Sequence, residues 1–448
     1  MKVALSIAGS DSGAGAGIQA DLKVFSALDV YGCTAITAIT AQNTKHVAEI
    51  FEIAPSIVKQ QIRSVVIDIQ PKAIKIGMVY STQIIDAVYS SLKKTIKIPI
   101  VLDPIFAAGT GAKLLRADAY HSFVSKLIPL STLITPNRME AEKLTDISIE
   151  TENDAIEAAK KIKKLGAESV MVKGGHFGSA LVTDLFLDNK DKITKFTNPR
   201  IDLKEIHGSG CNFSAAVTGY LAKGITLTDA CKMANDYVHT AIRNSVRIGK
   251  GLSVSNPLSA LNSDANRYRT LVELQDAVEQ VTMLDSLHSL IPETQTNFAY
   301  ALPNAVDISD VAGVRGRVIK VENTAVPASY VKFGASSHVA SAVIAYMRVK
   351  PDFRSAINIK FDEGIIDVCK SLFSVASYDR SQEPKKIKTK EGSTVAWGIH
   401  NALSKNPGAN VIYHRGDIGK EPMITLFGRN PAEVVRKIKA ILKNLYSV

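Results

Sequence analysis

Residues 207–211 read HGSGC and run straight into NFSAAVTGYLAKG, small and apolar residues that predict a helix. A glycine-rich turn that opens a helix is an anion site. The first helical turn leaves N–H groups unpaired at the positive end of the dipole. Phosphate is the usual occupant, which makes Cys211 at the end of the turn unexpected. Six other stretches carry chemistry-bearing residues. GSDSGAGAGIQADLK (9–23) is glycine-rich but breaks the G-x-G-x-x-G fingerprint at Ile18 and lacks G-K-[ST]. AQNT (41–44) presents Gln42, whose one amide acceptor and two donors match an aminopyrimidine edge, although a solvated loop glutamine fits equally. IGMV (76–79) puts Met78 at a strand end, where a core methionine is the simpler reading. LDPIFAAGTG (102–111) and TPNRMEAE (135–142) each set a carboxylate just past a strand. Asp103 and Glu140 are suited to Mg²⁺ held through water, with helix capping the competing role for Glu140. VKGGH (172–176) sets Lys173 beside two glycines, placed for a nucleotide phosphate.

These loops need a frame. Strands are predicted at 3–9, 33–40, 73–77, 98–103, 132–135 and 169–173, with helical stretches between them. In 227–246, Leu227, Cys231, Val238, Ile242 and Val246 share one helical face. Such alternation predicts a mostly parallel sheet with helices on both faces, and ligands at the carboxyl ends of its strands. The stretch 249–266 is rich in Ser, Asn, Gly and Pro and reads as a boundary, with 259–266 as the linker. An amphipathic helix then starts, stepping through Leu271, Leu274, Val278, Val281, Leu284, Leu287 and Ile291. Beyond it, strands are predicted at 317–321, 356–361, 410–414 and 423–427, with helices after GASS (334–337), after Asp362 and from NPAEVV (430–435). The expected domains are 1–258 and 267–448.

Composition narrows the partners. The chain has 448 residues, 46% hydrophobic and 22% charged, as in an ordinary globular protein. No apolar run approaches the ~20 residues that span a bilayer, and the opening apolar run is too short for a signal peptide. The four cysteines stand far apart without a C-x-x-C pair, which argues against a disulfide framework or metal cluster and for a reducing cytoplasm. The net charge of +11 is spread over the chain. Residues 1–264 hold 30 basic against 25 acidic residues, and the rest 24 against 18. With no arginine-rich tail, this charge fits anionic small substrates without invoking nucleic acid.

Taken in order, AGSDSGAGAGIQADLK, TAITAQNT, KIGMV, VLDPIF, TPNRMEAEKL, VKGGH and HGSGCNFSAA closely resemble the hydroxymethylpyrimidine (phosphate) kinases of the ribokinase-like superfamily. The resemblance covers the first ~255 residues. It implies a ribokinase-like α/β/α sandwich that phosphorylates hydroxymethylpyrimidine and its monophosphate from ATP with Mg²⁺. In most ribokinase-like enzymes an aspartate ends the glycine turn as the base. The resemblance puts Cys211 in that role, with the N–H groups of Gly208, Ser209 and Gly210 as the anion hole. A helix N-terminus can lower a thiol pKa, so a Cys211 thiolate is expected. By the same resemblance Gly9, Asp21, Gln42 and Met78 bind the pyrimidine, Asn137 and Lys173 serve ATP, and Asp103 and Glu140 organise the metal. A pyridoxal kinase is the alternative for this half. Homologous kinases generally dimerise, so a homodimer is expected.

The second half says less by itself. DVAGVRGRVIKV (310–321) carries Arg315 and Arg317 around a glycine, and arginine forks bind phosphate. KFGASSHVASAVIAYM (332–347) is a turn entering a helix that Ser336 or Ser337 would cap, with His338 in its first turn. Asp362 reads as a helix cap rather than a magnesium ligand. With FAYALPNA (298–305), RSAINIKFDE (354–363) and YHRGDIGKEP (413–422), the half resembles the ThiN-type thiamine-phosphate synthase domain, a second α/β domain. The resemblance implies condensation of the pyrimidine diphosphate with hydroxyethylthiazole phosphate. Arg317 and His338 are then the expected catalytic residues, with Arg315, Ser336 and Ser337 at the thiazole phosphate or pyrophosphate. The alternative is a non-catalytic thiamine-phosphate sensor.

Overall fold

A computed structural model of the protein describes residues 1–93, 98–175, 180–201, 206–384, 393–417 and 419–446. The chain divides into two compact units, Met1–Asn262 and Ser263–Val448.

The first unit is built on strands β1 (Lys2–Asp11), β2 (Val30–Gln42), β3 (Val47–Glu52), β4 (Ala73–Ile76), β5 (Ile100–Leu102), β6 (Leu133–Ile134), β7 (Val170–Gly175), β8 (Leu181–Leu187) and β9 (Ile193–Pro199). Among the described residues they form one sheet in the order β3-β2-β1-β4-β5-β6-β7-β8-β9. The six strands from β2 to β7 run parallel, while β3, β8 and β9 join antiparallel at the edges. β1 and β4 are buried nearly throughout, as parallel strands covered on both faces must be. Helices Pro55–Ser64, Thr82–Leu92 and Glu152–Lys164 pack on one face through Val58, Ile62, Ile84, Val88, Ala158 and Ile162. Helices Gly17–Ala27, Ser209–Ala222 and Leu227–Arg243 cover the other through Val24, Phe25, Phe213, Val217, Cys231 and Val238. The parallel frame agrees with the sequence reading. The edge hairpin β8–β9 was not expected from it, because neither strand alternates cleanly.

The short strands β10 (Ile206–His207) and β11 (Ser253–Val254) pair in parallel. The stretch read as a linker is therefore partly ordered by backbone pairing. Residues 259–266, expected as a linker, instead begin the helix Ser259–Thr282. Its N-terminal turns are mostly exposed and polar, so apolar periodicity is missing where helix formation is not. This helix also ends earlier than the apolar stepping suggested, and Leu287 and Leu290 belong to a following 3₁₀ turn.

The second unit carries β12 (Phe298–Ala301), β13 (Val311–Val314), β14 (Val318–Val321), β15 (Thr324–Pro327), β16 (Val331–Phe333), β17 (Ser355–Lys360), β18 (Val375–Ser377), β19 (Val411–His414) and β20 (Met423–Gly428). Among the described residues its main sheet runs β16-β13-β12-β17-β20-β19-β18, with β14–β15 a separate hairpin. All neighbours in the main sheet are antiparallel except β18 and β19. The period-2 alternation of β12 shows how it is covered. Phe298 and Tyr300 face a core closed by Ser259–Thr282, Glu363–Leu372 and Pro431–Tyr446. Ala299 and Ala301 face a core closed by His338–Met347 and Ser393–Lys405.

Candidate functional site

The carboxyl ends of the parallel strands surround a cavity of about 540 Å³. Gly9, Gln42, Met78, Asp103, Asn137, Glu140, Lys173, Gly208, Ser209, Gly210 and Cys211 all line it. Residues spread over two hundred positions thus meet where β1, β2, β4, β5, β6 and β7 end.

The floor is the start of the helix Ser209–Ala222, with Gly208 at its N-cap. Gly208 has φ +88, and a Cβ there would lie 1.9 Å from the Gly15 carbonyl oxygen. Only glycine permits this turn. A Cβ on Gly210 would meet Lys173 Nζ at 3.3 Å, so the lysine lies against the helix start. Lys173 also reaches Asp103 Oδ1 at 3.5 Å. Asp103 is buried and accepts from Ser214 Oγ at 3.0 Å and Thr135 Oγ1 at 3.4 Å. Asn137 and Glu140 form a capping box: Asn137 Oδ1 accepts from the Glu140 N–H at 2.9 Å, and Glu140 Oε2 accepts from the Asn137 N–H at 2.8 Å. Capping and cavity lining therefore coexist in Glu140. Burial pushes its carboxyl up to about 7, opposed by Lys173 and reinforced by Asp103. Two carboxylates facing one lysine leave negative charge that a hard cation would relieve. Their oxygen donors suit Mg²⁺ bound largely through water.

Cys211 differs from expectation. It is buried, and loss of solvent pushes its thiol up to about 12, with Asp103 and Asp21 adding to the rise. Lys75 and the Gly17 N–H oppose it without prevailing. Burial therefore works against the expected thiolate in the free site.

Asp21 is a second correction. It does not line the cavity, is fully buried, and pairs with Lys75 while accepting from Ser6 Oγ at 2.5 Å. A carboxylate so engaged supports the wall rather than touching a ligand. Lys75, Asp11 and His207 line the cavity instead, and sequence reasoning missed them. Lys75 was detectable as the one charge in the otherwise apolar strand AIKI. Asp11 accepts the N–H groups of Gly13, Gly15 and Ala16 at 2.8, 3.1 and 2.9 Å, and so shapes the first glycine loop. His207 Nε2 stands 3.1 Å from Gln42 Nε2 and 3.4 Å from Asp11 Oδ2. A ligand edge at Gln42 therefore meets an amide already oriented by the ring.

In the second unit His338 opens the helix His338–Met347. Neither expected cap is made: no side chain caps this helix, Ser336 is buried under Gly313, and Ser337 is exposed at the N-cap position. Asp362 does cap its helix, accepting from the Gly364 and Ile365 N–H groups. Arg317 has φ +72, and its guanidinium donates to the Thr294 carbonyl. Arg315 turns elsewhere, donating to the Tyr330 hydroxyl at 3.2 Å. His338 is exposed, yet partial desolvation by its surroundings lowers its pKa, and the Arg380, Arg317 and Lys420 charges lower it further. Among the described residues no helix is long and apolar enough to cross a membrane, and no group of three or more His, Cys, Asp or Glu is set to hold a metal.

The profile of the phosphomethylpyrimidine kinase family matches residues 11–256, and that of thiamine-phosphate synthase ThiN matches 273–440. The bifunctional thiamine biosynthesis protein ThiDN of Methanocaldococcus jannaschii is 32% identical over 443 residues, covering 98% of each chain. The hydroxymethylpyrimidine/phosphomethylpyrimidine kinase of Rhizobium meliloti is 45% identical over 252 residues, 56% of this chain and 94% of that one. The crystal structure of Bacillus subtilis pyridoxal kinase in complex with ADP superposes with a TM-score of 0.54 at 34% identity, covering 58% of this chain and 99% of that one.

Proposed function

The chain belongs to the phosphomethylpyrimidine kinase family and continues into a ThiN domain, and from that premise we propose how its residues divide the work of a two-step thiamine-phosphate synthesis. It is a bifunctional enzyme of thiamine biosynthesis: a hydroxymethylpyrimidine and phosphomethylpyrimidine kinase followed by a thiamine-phosphate synthase. ATP is the phosphoryl donor of the first reaction.

The observation that carries the residue assignment is the convergence of the Gly208–Gly210 helix start, Lys173 and the Asp103–Glu140 pair on one cavity with Gln42 and Met78. Gln42 matches the aminopyrimidine edge, and Met78 and Gly9 form its wall, where a Cβ on Gly9 would lie 2.8 Å from Met78 Sδ. Lys173 and Asn137 take the ATP phosphates. Asp103 and Glu140 would hold Mg²⁺, which would supply charge neutralisation on the phosphates. The N–H groups of Gly208, Ser209 and Gly210 receive the migrating phosphoryl group. Cys211 stands at that point to accept the substrate proton, and its raised pKa makes loss of the thiol proton a condition of activity. The transfer itself is mostly positioning and charge stabilisation. In the second unit Arg317 and His338 act on the diphosphate ester. The enzyme works in the cytoplasm as a homodimer.

The testing experiment supplies the purified chain with Mg²⁺–ATP, hydroxymethylpyrimidine and hydroxyethylthiazole phosphate and reads products by mass spectrometry. Thiamine phosphate is the expected product. Accumulation of the pyrimidine diphosphate alone would leave the second unit as a binding module. A parallel arm with pyridoxal tests whether the pocket also takes that ring, given the likeness to pyridoxal kinase.

A further inference from the structure

The second unit gathers more positive charge around His338 than the sequence indicated. Successive antiparallel neighbours make β13, β17 and β19 end at the same edge of the sheet, and β18 ends there too because it runs parallel to β19. Four segments therefore meet at that edge. The turn after β13 brings Arg317. The segment after β18 brings Tyr378 and Arg380. β19 ends in His414, which pairs with Met423, so the approach to β20 carries Lys420 to the same edge. Ser336 packing against Gly313 brings the start of the helix His338–Met347 there as well.

Arg380 is 4% exposed, and its Nε has no hydrogen-bond partner. A buried guanidinium with an unused donor is costly unless a ligand completes it. Its charge bears on both His338 and His414, as does that of Lys420. The His414 ring lies 5.2 Å from Tyr378, and its Nδ1 accepts from the Gly416 N–H at 3.1 Å. That bond leaves Nε2 as the N–H position of the neutral ring. Burial and these cations push His414 down to about 3, so the ring stays neutral and can donate without adding charge. Acidic groups lie at this edge as well: Glu383 bears on Tyr378, Asp379 adjoins Arg380 and feels Asp417, and Glu363, just after β17, pairs with Arg415 beside His414.

We propose that Arg380, with His414 and Lys420, completes a diphosphate cradle around Arg317 and His338, in which the buried guanidinium grips the pyrophosphate as it leaves. This rests on the synthase reading of the second unit. In the step concerned, the thiazole nitrogen lone pair forms the C–N bond to the pyrimidine methylene. The C–O bond breaks, and its electron pair stays on the departing pyrophosphate. Arg380 presents donors in a fork suited to that ion, and Lys420 adds a point charge at the exposed rim. Ser336 and Ser337 make no comparable offer, since one is packed under Gly313 and the other is solvent-facing.

The test measures inorganic pyrophosphate and inorganic phosphate binding to the full chain by calorimetry, with the kinase cavity filled by excess ADP. Coupling of supplied pyrimidine diphosphate is followed alongside. Arg380→Gln is expected to weaken pyrophosphate roughly 10- to 100-fold, to weaken phosphate less, and to lower coupling while kinase turnover is unchanged. Arg380→Lys, which keeps the charge, recovers part of the binding. Lys420→Gln, at an exposed position, is expected to weaken pyrophosphate about threefold or more by loss of one charge, which guards against a folding defect at Arg380. Wild-type pyrophosphate affinity in either Arg380→Gln or Lys420→Gln overturns the cradle. If binding depends on Arg380 but the wild-type chain forms no thiamine phosphate, the synthase reading fails and the cradle stands.

Discussion

The Lys75 ammonium and the Asp21 carboxylate form an ion pair fully shielded from solvent behind the kinase cavity. Burial works against the lysine charge, but the Asp21 and Asp103 carboxylates near it hold Lys75 protonated, above the ordinary lysine range. Lys75 lines the cavity while Asp21 does not. One charge thus faces the site and the other anchors it. Breaking such a pair from one side strands a buried charge.

Lys75→Met is therefore expected to destabilise the kinase unit by roughly 3–5 kcal/mol. The double change Lys75→Met/Asp21→Leu should recover much of that loss, because two apolar side chains can replace a buried pair. Denaturant unfolding of the three variants measures both effects. A Lys75→Met protein as stable as wild type would remove the structural role assigned to the pair.

Cys211→Ala is expected to lower kinase turnover by ~10²-fold or more, the scale of lost acid–base catalysis, while coupling of supplied pyrimidine diphosphate is unchanged. Cys211 is pushed up to about 12, so turnover limited by its thiolate rises with pH across the neutral range. In Cys211→Asp the base has a much lower intrinsic pKa. Its rising limb should then move to lower pH. Profiles that coincide would show that residue 211 does not set the limb.

Asp11 is buried yet its carboxyl stays below the usual range. Burial raises it, but His207 and the N–H groups of Ala16 and Gly13 outweigh that. A depressed carboxyl adds stability above its unfolded pKa, and that stability is lost as pH falls through the folded value. Asp11→Asn should cost about 1–3 kcal/mol at pH 7, because the Gly15 and Ala16 N–H groups lose their acceptor. The gap between mutant and wild type should close below about pH 3.8, which thermal unfolding at several pH values checks.

His338 lies below the ordinary histidine range because of partial desolvation and the Arg380, Arg317 and Lys420 charges, although the residue is exposed. Its neutral form therefore persists to more acidic pH. Coupling of supplied pyrimidine diphosphate should show no loss as pH falls through about 6.5, the usual histidine value. His338→Ala or Arg317→Gln should abolish most coupling and spare the kinase. A coupling profile that already falls at neutral pH would contradict the basic surroundings described for His338.

Much of this protein is legible in its sequence. The buried runs of β1 and β4 and the intervening helical patterns specify a parallel sheet, because both faces must be covered. Glycine at 208 is readable as a helix-opening turn, since no side chain tolerates that backbone so close to Gly15. The loops after the strands could be named as the site because parallel topology places all those ends together. Tertiary structure decided the rest. Whether Asp21 touches a ligand or supports the wall depends on where Lys75 lies, 54 residues away in sequence. The protonation of Cys211 depends on burial, which its helix position alone does not disclose. The convergence of Arg317, His338, Arg380, His414 and Lys420 follows from strand order in a mixed sheet. Local sequence sets each strand, but nonlocal pairing chooses which strand ends become neighbours.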